Sequence, residues 1–152
     1  MEIKQDETTQ GGFRKILVPV DGSGPSRRAL DKAVYLASLC DAELTLLNVV
    51  DLNKEISSFE QVSKGGYVPS ELKESGYQLL AELMHASPRE IRAKAAVEIG
   101  APPQTTVEYY ERHGFDIIVI GSRGIGKLKQ IIMGSVSQYV LLRASCPVLI
   151  VK

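Results

Sequence analysis

The chain has 152 residues, 44% of them hydrophobic and 24% charged, so it can bury the core of one domain and is too apolar to be a disordered chain. Its 18 basic and 18 acidic residues cancel, which argues against sequence-independent binding to nucleic acid or to an anionic membrane surface. No apolar run approaches the roughly 20 residues of a membrane span, and the polar amino-terminal segment lacks the apolar stretch of a secretion signal, so the expected location is cytoplasmic.

Residues 1 to 12 read as a flexible tail ahead of a single domain over residues 13 to 152. Ile16-Leu17-Val18-Pro19-Val20 reads as a first strand, with Pro19 near its end, where a missing N–H costs least. Asp21-Gly22-Ser23-Gly24-Pro25 then turns the chain, and Pro25 suits the first turn of a helix. That helix carries a one-sided apolar stripe at Ala29, Ala33, Leu36, Ala37 and Cys40. Glu43 to Val50 is the second strand, completing a right-handed βαβ unit. Residues 51 to 69 show no periodicity and contain Gly65-Gly66, so they read as a long surface loop.

Ser70 is the expected cap of a second helix, striped by Leu72, Leu79, Leu80 and Leu83 and interrupted by Gly76. Ser87-Pro88 ends it. A third strand falls within Arg92 to Ile99, although Ala93, Ala95 and Ala96 would suit a helix equally. Gly100-Ala101-Pro102-Pro103 starts a third helix that runs to His113, with Gly114 as its carboxyl-terminal cap. Ile117 to Ile120 is an apolar, β-branched fourth strand, the pattern of a strand buried on both faces. A last helix, Val136 to Arg143, and a fifth strand, Val148 to Val151, complete the chain. Alternating strands and helices specify an α/β fold, an open parallel sheet with helices on both faces. Such sheets bind ligands outside the carboxyl ends of the strands, where the strand order reverses. Cys40 and Cys146 are expected to be small buried thiols, and Tyr35, Tyr110 and Tyr139 to pack on the sheet. His85 and His113 have no partners at metal-ligand spacing.

The stretch after the fourth strand carries the chemistry. Gly121, Gly124, Gly126 and Gly134 fall within it, together with Arg123, Lys127 and Lys129 and no acidic residue. Ser135-Val136-Ser137-Gln138 then reads as a capping box at a helix start. Strand, glycine-rich loop and helix start together suit an anion, because the first N–H groups of a helix lack intrahelical acceptors. The loop lacks the Gly-Lys-Ser/Thr of a Walker A motif and the G-x-G-x-x-G of a dinucleotide fingerprint. Turn geometry alone would also explain glycines here; the full spacing favours a polyphosphate cradle.

That spacing, G-x2-G-x9-G-[S/T], resembles the signature of the ATP-binding branch of the universal stress protein family. Ile-Leu-Val-Pro-Val-Asp-Gly-Ser at 16 to 23 and Cys-Pro-Val-Leu-Ile-Val at 146 to 151 also resemble that family, and the likeness spans residues 15 to 152. The resemblance implies strand order 3-2-1-4-5, a homodimer joined through Val148 to Val151, and bound ATP, or ADP or AMP, with Mg²⁺. It implies a nucleoside contact at Asp21, flanked by Pro19 and Val20, and a backbone contact to adenine from Val49 or Val50. It places the phosphates against Gly121, Ser122, Arg123, Gly124, Gly134, Ser135 and Val136. Ala101 departs from the acidic or polar residue common in the family. The implied function is that of a dimeric, ATP-binding stress-response regulator. The alternatives are a slow ATPase of the same fold and a nucleotide-free interaction module. No His-x-Gly-His or Ser-Gly-Gly-x-Asp-Ser segment of the adenylating enzymes is present.

Overall fold

The computed structural model describes residues 12–51, 54, 69–87, 90–123 and 133–152. The expected tail up to residue 11, nearly all of the loop at 51 to 69, Gly124, Lys127 and Lys129 lie outside the described residues. The elements are β1 (Lys15–Pro19), α1 (Gly24–Cys40), β2 (Glu43–Asp51), α2 (Pro69–His85), β3 (Ala93–Gly100), α3 (Pro102–His113), β4 (Ile117–Gly121), α4 (Ser135–Arg143) and β5 (Val148–Val151). They form one parallel sheet in the order β3-β2-β1-β4-β5.

The strands at the middle of the sheet are apolar throughout because both faces are covered. Ile16, Leu17 and Val18 of β1 and Ile118 and Val119 of β4 are fully buried. Alternate residues feed two cores. On one face Ile16, Val18, Leu44 and Val119 pack with Ala29, Leu30 and Ala33 of α1 and Leu80 and Leu83 of α2. On the other, Leu17, Leu47, Ile118 and Ile120 pack with Val107 and Tyr110 of α3 and Val140 of α4. The first two helices therefore cover one face and the last two the other. The chain changes face after β3, and β1 and β4 become neighbours with crossovers running away on either side.

Some local outcomes decide what the sequence left open, and others differ from it. The alanines of β3 are in a strand because eight of its residues register against β2, from Leu44↔Ala93 to Asp51↔Gly100; pairing outweighs helix preference at a sheet edge. Ser70 lies inside α2, which begins at Pro69, and so does not cap it. Cys40 and Cys146 are free thiols but only half-buried. Tyr35 is 49% exposed and leaves the sheet uncovered by its ring. Tyr110 does pack inward, its hydroxyl 2.9 Å from Ser145 Oγ. Gly114 ends α3 as expected, with φ at 62° and its N–H donated to Tyr110 O.

Candidate functional site

At the carboxyl end of β1 the chain must leave the sheet and enter α1 within a few residues. Asp21 organises this turn by accepting the Ser23 N–H on Oδ1 at 3.0 Å. Ser23, not Asp21, caps the helix: its Oγ accepts the Ser26 N–H at 3.3 Å. Gly22 has φ of 83°, a left-handed conformation that L side chains avoid, and Leu79 of α2 closes over it. The guanidinium of Arg27 donates to the Gly22 carbonyl and reaches Glu82 of α2, each at 3.2 Å. The result is a turn held from three sides, with Asp21 half-buried at its start.

The end of β4 lies against the start of α1. A Cβ on Gly121 would stand 2.7 Å from the Pro25 carbonyl carbon and 2.9 Å from the Ser26 nitrogen, so packing against α1 by itself requires glycine here. Ser122 follows, its N–H donated to Val151 O of β5 and its carbonyl accepting the Gly134 N–H at 2.8 Å and Ser137 Oγ at 3.0 Å. These bonds fix where α4 begins. Gly134 rather than Ser135 is its N-cap, since the Gln138 N–H bonds to Gly134 O, and no side chain caps it. The expected capping box is therefore absent: Ser135 is already the first helical residue. Glycine leaves the N–H groups of that first turn uncovered by any capping side chain.

Between these two segments opens a crevice of about 650 Å³, within the range of small-ligand sites. Of the expected site residues, Pro19, Val20, Asp21 and Val49 line one part, and Gly121, Arg123, Gly134, Ser135 and Val136 another. Ser122 does not line it, and Gly124 lies outside the described residues. Val50, the alternative to Val49, also reaches the crevice.

Residues not expected from sequence close the remaining walls. Asn48 and Asp51 come from β2, Lys54 follows it, Ser75, Gly76 and Leu79 come from α2, and Pro102, Pro103 and Thr106 from α3. The start of α3 contrasts with that of α4. It too lacks a side-chain cap, but prolines at its first positions remove two N–H groups, and the Thr105 N–H bonds to Ala101 O. One end of the crevice is thus apolar and poor in donors, and the other is rich in them. Asp21, Asp51, Lys54 and Arg123 supply charges of both signs. Among the described residues no three His, Cys, Asp or Glu side chains converge to hold a metal, and no helix is long and apolar enough to cross a membrane. Only register and packing reveal Asn48, Gly76 and the α3 prolines as walls; sequence marks the prolines as a helix start and nothing more.

Residues 12–152 match the sequence model of the Universal stress protein family. The chain is 35% identical over 149 residues to universal stress protein YxiE of Bacillus subtilis, spanning 92% of this chain and 99% of that protein. The solved structure of protein MJ0577 from Methanocaldococcus jannaschii superposes with a TM-score of 0.71 at 32% identity, over 92% of this chain and 96% of the other. A universal stress family protein of Arabidopsis thaliana, solved with AMP bound, has a TM-score of 0.61 at 21% identity over 91% of each chain, a likeness of fold.

Proposed function

We propose, from the premise that the chain belongs to the universal stress protein family, that it binds an adenine nucleotide in the β1–β4 crevice and acts as a dimeric cytoplasmic regulator. The observation that carries this reading is the chemical polarity of the crevice. A nucleotide has a flat aromatic base with hydrogen-bonding edges, a sugar with hydroxyl donors and an anionic tail. In the proposed arrangement the base lies toward β2, Leu79 and the prolines of α3, with Val49 offering backbone to its edge. Asp21, at the mouth of the crevice, accepts from the ribose hydroxyls. The phosphates lie over the uncapped first turn of α4, where N–H groups and helix dipole favour an anion, with Gly134, Ser135 and Val136 as the floor and Arg123 as a counter-charge. Gly121 and Ser122, at the end of β4, act through backbone placement, and Gly124 is assigned to the phosphates by the sequence signature alone. Mg²⁺ would arrive with the triphosphate, held by its oxygens and by water next to Asp21. A family neighbour of the same fold holds AMP, in keeping with a nucleotide ligand.

The nucleotide serves here as stabiliser or switch rather than substrate, because phosphoryl transfer also requires a group that positions the attacking water or hydroxyl, and the described lining supplies no such arrangement. Mass spectrometry of small molecules released by denaturing the purified protein, with melting curves in Mg-ATP, ADP and AMP, tests the proposal. Nucleotide at a hundred times its Kd is expected to add about 2.7 kcal/mol of stability. A melting curve unmoved by millimolar nucleotide, with none released, would refute it.

A further inference from the structure

The two ends of strand that meet the base and the ribose are joined by a single buried side chain, Asn48. Its Nδ2 donates to the Val20 carbonyl at 2.9 Å, and the residue is 8% exposed. The bond matters because of what it replaces. In a parallel pair a residue that donates its N–H to position j−1 of the neighbouring strand accepts, on its carbonyl, from the N–H of position j+1. Val20 donates to Leu47 O at 2.8 Å, so the ladder bond due at its carbonyl would come from the Val49 N–H. Among the described residues no backbone bond joins Val49 to Val20; the Asn48 amide occupies that carbonyl instead. Backbone polar groups alternate in direction along a strand, so Val49 shares the orientation of Leu47, toward β1. There β1 has already turned away at Asp21, and the space it leaves is the crevice.

We propose that Asn48 is a positioning residue: by taking the Val20 carbonyl, it releases the Val49 N–H to a ligand's hydrogen-bond acceptor. This rests on the nucleotide reading above and assigns the released N–H to a ring nitrogen of the base. Gly76 completes the device. A Cβ there would stand 2.8 Å from Asn48 Oδ1 and 2.7 Å from Val97 Cγ1, so α2 leaves the amide just enough room and keeps it from turning away.

Amide-resolved hydrogen exchange on the nucleotide-stripped full chain tests the release without any ligand. The Val49 amide is expected to exchange at least about tenfold faster than that of Leu47, and to slow in Asn48→Leu, which has no donor for Val20. A Val49 amide as protected as Leu47 in the unaltered protein overturns the proposal. Calorimetry then separates positioning from general stability. Asn48→Leu, or Asn48→Asp should the first variant fail to fold, is expected to lose about tenfold or more in adenosine affinity while binding inorganic tripolyphosphate as before, on the scale of one hydrogen bond to a buried group. Equal losses for both ligands, or none, overturn it. Should the unaltered protein bind neither adenosine nor ATP, the nucleotide reading falls, and the exchange comparison still decides what Asn48 does.

Discussion

A single missing side chain sets the character of the anion end. Gly134 caps α4 without covering it, whereas serine at a helix N-cap would turn its hydroxyl onto the first N–H groups. Gly134→Ser is therefore expected to raise the melting temperature of the nucleotide-free protein slightly, since serine exceeds glycine by only a few tenths of a kcal/mol at this position. It should at the same time weaken ATP more than adenosine, as the added group competes with phosphate. Calorimetry with both ligands, beside a melting curve, checks the pair of outcomes; equal weakening would place the phosphates elsewhere. Gly121 teaches a complementary lesson. Sequence spacing picks it out, but the reason the position excludes a Cβ is the backbone of Pro25 and Ser26, a contact between segments about a hundred residues apart. Asn48 leaves no mark at all in the sequence, because its role depends on register between two strands.

At the scale of elements, the strands are legible as short apolar runs and the helices by an apolar stripe or by proline and glycine at their ends, and only β3 needs its neighbour to be decided. α2 is different: Gly76 looks like a weakness in a helix and is instead a point at which that helix comes close against Asn48 and Val97 of the sheet. Gly76→Ala would gain about 1 kcal/mol of intrinsic helix preference. It would also force the Cβ against Val97 and Asn48, at distances of 2.7 and 2.8 Å, and overpacking of this kind costs about 1–3 kcal/mol. The expected result is a lower melting temperature and weaker nucleotide binding together, read by differential scanning calorimetry and titration. A variant more stable than the parent would mean that α2 can shift freely. The contrast between α3 and α4 is half legible: Pro102-Pro103 and Gly134-Ser135 are plain in the sequence, but that both helix starts face one crevice follows only from the change of face after β3.

For the whole molecule, the open question of assembly turns on β5. It is an edge strand, and Leu149 within it, with Leu141 and Leu142 on α4, is exposed. Unpaired edges of this kind invite a second chain, and two copies pairing about a two-fold axis would form the proposed homodimer. The direction of each backbone group gives a selective test. Ser122 and Ile118 donate to Val151 O and Pro147 O, so Pro147, Leu149 and Val151 face β4 and Ile150 faces outward. Ile150→Pro removes an outward N–H and leaves the bonds to β4 in place, as proline is tolerated on an edge. It is expected to yield a folded monomer by analytical ultracentrifugation, while Leu149→Pro should unfold the edge. A dimer that survives Ile150→Pro would place the interface elsewhere.

The backbone hydrogen bonds at Ser122 have a consequence for how these scales communicate. Its N–H grips the last strand and its carbonyl grips the beginning of the last helix, so one residue, through the two peptide groups that meet at its Cα, ties the outer border of the molecule to the mouth of its cavity. Only the φ and ψ of that residue lie between the two grips. A second copy docked along the terminal strand is therefore expected to change the affinity of whatever occupies the hollow, and linkage makes the reverse effect equal.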